Sequence, residues 1–116
     1  MALRPGSLIT ISIPFTDLSA IKRRPALVLI VHGEDLVVCG VTSRISRRRD
    51  AVALDQKGMA EGRLPKPSEV RPLKVFTIHR ALVHKVVGRV TDPTFGRVVA
   101  LLVSALRRGQ RPETST

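Results

Sequence analysis

Tryptophan and tyrosine are absent from these 116 residues, and phenylalanine occurs three times. The core must therefore be built from aliphatic side chains, and contact with nucleobases has almost no aromatic ring to stack on. A single cysteine, Cys39, excludes an internal disulfide. It sits inside an apolar run and reads as a small buried hydrophobe in a reducing compartment. No apolar run approaches the roughly 20 residues that a spanning helix needs. The first residues lack the basic, apolar, small-residue layout of a signal peptide, so a cytoplasmic protein is expected, with no membrane partner. There is no glycine-rich phosphate loop ending in Lys-Ser/Thr and no Cys-x-x-Cys. His32, His79 and His84 lack ligand spacing, so neither a metal site nor a cofactor is expected. Acidic residues are scarce as well: nine Asp and Glu stand against 20 Lys and Arg, for a net charge of +11. Such a field favours polyanions, whether nucleic acid, an acidic membrane face or an acidic protein segment, without choosing among them.

What is present starts with Arg23-Arg24-Pro25-Ala26-Leu27-Val28-Leu29-Ile30-Val31. The short, uncharged aliphatic run after the proline reads as a strand buried on both faces. Proline is tolerated at its first position, and it pushes Arg24 toward an extended backbone. The result is a planar cation at the mouth of a rigid strand; the plain alternative is a solvated basic turn.

Upstream, Ile9, Ile11 and Ile13 alternate with Thr10 and Ser12, a half-buried strand closed by Pro14. Residues 15–22 read as a polar loop in which Asp17 and Ser19 suit a turn. After the buried run, His32-Gly33-Glu34-Asp35 forms a tight turn, and residues 36–42 return as a third strand, completing a hairpin. Gly40 inside it suggests a bulge or a close backbone approach. A basic stretch over 43–50 carries Arg44, Arg47, Arg48 and Arg49. A short fourth strand over 51–54 precedes a surface loop over 55–67 rich in Gly and Pro. Residues 69–78 read as a fifth strand bent near Pro72, and 82–90 as a sixth. Asp92 as N-cap with Pro93 in the first turn opens a helix over about 92–108. Phe95, Val98, Val99, Leu102 and Leu106 give it an apolar stripe suited to packing over one end of the sheet, Arg107 and Arg108 complement its C-terminal dipole, and Gly109 stops it. The helix has no basic face of the kind that lies on membranes. Successive short strands without intervening helices predict a mainly β, antiparallel barrel or strongly coiled sheet. The expected organisation is one domain over 1–109 and a disordered tail over 110–116.

Several of these segments together resemble a known family. Gly6-Ser7-Leu8-Ile9, Pro14-Phe15-Thr16-Asp17-Leu18-Ser19 and Lys22-Arg23-Arg24-Pro25-Ala26-Leu27-Val28-Leu29 are similar to the opening of the MazF/PemK-type toxins of bacterial toxin–antitoxin pairs. Val41-Thr42-Ser43, Gly62-Arg63-Leu64, Pro67-Ser68-Glu69-Val70-Arg71 and Val87-Gly88-Arg89-Val90 resemble its later landmarks, in order. The resemblance implies a small Src-homology-3-like (CcdB/MazF-type) barrel with a C-terminal helix, a homodimer and an acidic, partly disordered antitoxin. It implies a metal-independent endoribonuclease cutting single-stranded RNA to 2′,3′-cyclic phosphate and 5′-hydroxyl ends, causing growth arrest. The family's catalytic arginine lands on Arg24 and its threonine on Thr42. The predicted hairpin brings those positions together, since one begins its second strand and the other ends its third. A guanidinium fork suits the charge that builds on phosphorus oxygens, and a hydroxyl can bond the phosphate or orient the nucleophile.

Further RNA contacts are expected from Ser43, Arg44, Arg47, Arg48, Lys22, Arg71 and Lys74, the arginine run reading equally as a solvated loop. Asp17 either orients Arg24 or makes a turn. The chain departs from the common pattern at Ser7 (usually Asp), at Arg44 (commonly Gln) and in lacking the Gly-Ser-Glu-Gln segment before Arg24, which leaves the general base open. Two rival readings share the barrel. One is a non-catalytic nucleic-acid binder. The other is a gyrase poison, which depends on a C-terminal Trp that this chain lacks.

Overall fold

The computed structural model describes residues 2–14 and 21–110. Asp17 and most of the expected loop over 15–22 lie outside them, as do residues 111–116 of the expected tail; Gln110 lies in a turn. Seven strands form one sheet: β1 Ser7–Pro14, β2 Ile21–His32, β3 Asp35–Thr42, β4 Val52–Leu54, β5 Met59–Gly62, β6 Ser68–His79 and β7 Val83–Val90, followed by helix α1 Asp92–Arg108. Their spatial order is β4-β6-β3-β2-β1-β7-β5, and every recorded neighbour pair is antiparallel.

The sheet curls on itself. Leu54 and Val52 from one edge and Met59 from the other share a core with Leu8, Leu27, Cys39, Val41, Val70 and Val90, and α1 closes it with Val98, Phe95, Leu101 and Leu102. Packing of α1 over β6 and β4 fulfils the expectation that it covers one end of the sheet. A second cluster, Ile9, Ile11, Ala26, Val28, Leu36, Val38 and Ile78, lies on the other face. Strand β1 is therefore not half-buried as its alternation suggests: flanked by β2 and β7, it buries Leu8 on one side and Ile9 and Ile11 on the other. The aliphatic run Ala26–Leu29 is buried on both faces, as expected, because β2 is central too. Cys39 is buried, and burial pushes its thiol up to about 12, so it stays protonated and inert at neutral pH.

Other details differ from the sequence reading. Strand β2 begins at Ile21, so Arg24 and Pro25 lie inside the strand and not at its mouth. Pro25 is accommodated because the ladder to β3 runs only as far as Ala26, which leaves its missing N–H at that limit. The hairpin turn is two residues, Gly33-Glu34, and Gly33 has φ +60, as a type II′ turn requires at its first central position. The surface loop expected over 55–67 contains a 3-10 turn, Gln56–Gly58, and strand β5. The helix is capped one residue earlier than expected: Thr91 Oγ1 accepts the Thr94 N–H at 3.3 Å. Asp92 instead places its charge in the first turn, where the dipole favours it. Both residues are good caps, and only the backbone decides between neighbours.

Candidate active site

The β2–β3 ladder ends where Ala26 pairs with Gly40, and Arg24 and Thr42 stand two positions beyond that last pair on their strands. Residues at such positions project from the same face of adjacent strands. The Arg24 side chain is exposed and makes no hydrogen bond or ion pair with any other described residue; Thr42 is half-buried. Both line the walls of two adjoining hollows, so they form the ridge between them.

The first hollow, about 300 Å³, runs from Arg24 and Thr42 to Ser43, Lys66, Ser68 and Thr10 over a floor that includes Pro25, Val41 and Leu64. The second, about 430 Å³, adds Arg71, Lys74 and Phe76. Arg71 and Lys74 reach it through a bulge in β6. Cys39 pairs with Val75, but the next residue, Gly40, pairs with Arg71, which leaves Pro72, Leu73 and Lys74 looped out of the ladder. Proline cannot donate to a ladder, so the loop-out falls where its cost is least. The irregularity expected at Gly40 and the bend expected near Pro72 are this one feature. A Cβ on Gly40 would lie 3.5 Å from the Lys74 Cβ, an ordinary contact distance, so Lys74 packs directly over β3 at this point.

Glu69, beside Thr42 in the β3–β6 register, is 2% exposed and holds the basic loop to the sheet. Its carboxylate accepts the Ser46 O–H at 2.7 Å, the backbone N–H groups of Ser46 and Arg47 at 3.0 and 3.3 Å, and the Arg71 Nε–H at 3.3 Å. Arg47 has φ 57, and this left-handed turn lets two successive N–H groups meet one carboxylate oxygen. The Ser46 hydroxyl, followed by those N–H groups and Arg71, holds the Glu69 carboxyl below the usual range against the opposing effect of burial. A depressed folded-state value makes the anchoring complete above the ordinary Glu range, near pH 4.3, and loses it as pH falls through the lowered value. We expect Glu69→Gln to reduce the amide-exchange protection factors of Ser46 and Arg47 several-fold at pH 7. In the wild type that protection should persist through pH 5 and fall only in stronger acid; loss between pH 7 and 5 would contradict the assignment.

Of the residues singled out from the sequence, Arg24, Thr42, Ser43, Arg71 and Lys74 line these two hollows. The others are not brought to the walls. Arg44 contributes its backbone, whose N–H donates to Thr42 Oγ1 at 3.1 Å. Arg48 pairs with Asp50 at 3.1 Å, and Arg47 is exposed on the anchored loop. Lys22 is exposed on β2, two positions from Arg24. Asp17 lies outside the described residues. Sequence reasoning missed Thr10, Lys66, Ser68 and Glu69. Pro65-Lys66-Pro67, a cation held between two rigid residues, was the one local signal available; the others reach the site only through long-range pairing.

Residues 4–106 match the family described as the PemK-like, MazF-like toxin of type II toxin–antitoxin systems. The chain belongs to that family. Among solved structures, an endoribonuclease from a mycobacterial species superposes with a TM-score of 0.70 at 18% identity, covering 92% of this chain and 93% of that one. An endoribonuclease in complex with its cognate antitoxin, also mycobacterial, gives 0.70 at 21% identity over 91% and 96%. The MazE–MazF assembly of Deinococcus radiodurans gives 0.74 at 21% over 89% and 94%. At such identities the likeness establishes the MazF-type fold. No curated protein matches the chain. Among the described residues no helix is long and apolar enough to cross a membrane.

Proposed function

We propose that this toxin is a metal-independent endoribonuclease that cuts single-stranded RNA, mRNA in the cell, and so arrests growth. The observation that carries the reading is that Arg24 and Thr42, just beyond the last β2–β3 pair, together line both of two adjoining cationic hollows. In the step we assign, the 2′-oxygen attacks the adjacent phosphorus, the O2′–P bond forms and the P–O5′ bond breaks. Water takes the 2′ proton and water returns one to the departing 5′-oxygen, which leaves as a hydroxyl, while the other fragment ends in a 2′,3′-cyclic phosphate. The Arg24 guanidinium holds the two non-bridging oxygens as their charge grows. Thr42 already accepts the Arg44 N–H, which leaves its own O–H free to donate to the phosphate. Arg71 and Lys74 bind the neighbouring backbone as point charges. Glu69 is not the base: its carboxylate is occupied by Ser46, Arg47 and Arg71 and held below the usual range.

The same basic face suits an acidic, partly disordered antitoxin segment, which would compete with RNA for Arg24, Arg71 and Lys74. The exposed side chains of Leu73 and Val75 on β6 favour a homodimer. The deciding experiment is incubation with a defined RNA in excess chelator, followed by end-group analysis. We expect cyclic phosphate and 5′-hydroxyl ends, and no cut at a 2′-deoxy substitution of the cleaved nucleotide. A magnesium requirement or 5′-phosphate ends would overturn the mechanism.

A further inference from the structure

The geometry points to Gln56 as a positioning residue for RNA binding: it pins the segment that carries Lys66 into the wall of the first hollow, where the lysine holds a phosphate next to the cleaved one. The inference rests on the endoribonuclease reading above. Residues 63–67 link β5 to β6 and belong to no strand, so no ladder fixes them. Side chains do so instead. The Gln56 carboxamide donates from Nε2 to the Gly62 carbonyl at 3.1 Å and accepts the Leu64 N–H at Oε1 at 2.8 Å. It offers a donor and an acceptor side by side, as the peptide group of a neighbouring strand would. On the other side of Lys66, the Ser68 O–H donates to the Lys66 carbonyl at 3.0 Å. Pro65 and Pro67 stiffen what lies between. The turn that bears Gln56 is itself held: Asp55 accepts the Lys57 N–H at 3.0 Å, and the Gly58 carbonyl accepts the Thr91 N–H at 2.8 Å.

The two Gln56 bonds lie at the surface, where water is a ready alternative partner, so they add little to stability. What they supply is position. Lys66 is exposed, lines the first hollow together with Arg24, and its side chain makes no hydrogen bond or ion pair with any described residue. Its charge is therefore uncommitted, and a backbone already pinned has less freedom to give up when the ammonium meets an anion. An RNA whose cleaved phosphate sits on Arg24 can lay an adjacent phosphate on Lys66 within the same hollow. Arg71 and Lys74 line the second hollow, so the two sets of cations flank Arg24 and together track the backbone on either side of the cut.

The test is binding of an RNA that the wild type cuts, made uncleavable by a 2′-deoxy substitution at the cut and followed by fluorescence anisotropy over a range of salt. Lys66→Ala should weaken binding several-fold and lower the slope of log K against log salt by about 0.7, the share of one phosphate contact on a single strand. Lys66→Arg should keep that slope. Gln56→Ala should also weaken binding several-fold, while its single-turnover rate at saturating cleavable RNA stays within about twofold of wild type. In a Lys66→Ala background it should add nothing, because the two residues act as one unit. Wild-type binding by Gln56→Ala, or additive losses in the double variant, overturns this inference alone, whereas a wild type that neither binds nor cuts RNA overturns the endoribonuclease reading with it. A second measurement needs no variant: titration of the wild-type toxin with the uncleavable RNA, read by amide chemical shifts. Salt-sensitive shifts at Leu64 and Lys66 support the placement; shifts confined to Arg71 and Lys74 overturn it.

Discussion

Replacing Arg24 with alanine should lower the rate of RNA cleavage by about 10²–10³-fold or more, the scale on which removal of one pre-positioned donor to a transition-state oxyanion is felt. The fold should scarcely notice. The side chain is exposed and has no partner among the described residues, so the change in stability should stay within about 0.5 kcal/mol. Arg24→Lys separates charge from geometry: an ammonium keeps the positive point charge but loses the two-pronged match to phosphate oxygens, and should recover only a minor part of the rate. Thr42→Val should cost less than Arg24→Ala, because one neutral hydrogen bond stabilises the developing charge less than a cation does. Single-turnover rates with circular dichroism on each variant check the whole set. Normal cutting by a well-folded Arg24→Ala would remove the proposed chemistry.

The largest structural effect is expected where β5 pairs with β7. Gly62 pairs with Gly88, and a Cβ on Gly88 would sit 2.1 Å from the Glu61 carbonyl oxygen and 2.9 Å from the Gly62 Cα. Those are backbone atoms, so relief requires parting the strands, not turning a side chain. Gly62 is constrained twice over, by φ +82 and by the Val87 carbonyl oxygen 2.2 Å from where its Cβ would stand. Gly88→Ala should therefore destabilise by roughly 3 kcal/mol or more, a large share of the 5–15 kcal/mol that holds a domain together. In thermal melts this reads as a drop of roughly 10–20 °C. Gly96→Ala is the matched control: it lies inside α1 with open space around the added methyl, and should stabilise by roughly 0.5–1 kcal/mol. Equal melting temperatures for Gly88→Ala and wild type would show that the two strands are not held at this spacing.

The contrast between these two glycines also marks what could be read in advance. Helix α1 was legible because its evidence is local: a 3.6-residue stripe, a capping residue and a proline near one end, and arginines near the other. Even its one error, Asp92 for Thr91, was a choice between adjacent good caps. The β2–β3 hairpin was legible for the same reason, its turn being two residues long, but its register was not: counting from the turn sets Arg24 opposite Ser43, and a shift between Val28 and Ile30 brings Thr42 to that level instead. Strand β5 offered no such handle. Four residues without an apolar alternation become a strand only because β7 supplies the partner and two glycines let the backbones touch.

By itself, then, the chain's order of residues determined an aliphatic, strongly cationic β-domain with a closing helix and a hairpin that carries Arg24 and Thr42 toward one rim. Only the tertiary structure decided that β6 loops out Lys74 toward that rim, that Glu69 ties down the arginine-bearing loop, and that Gln56 pins the segment bearing Lys66. Local propensities and turn lengths act over a few residues and leave their mark in the text of the sequence. Register between distant strands is set by burial of the whole sheet, and no short window contains it.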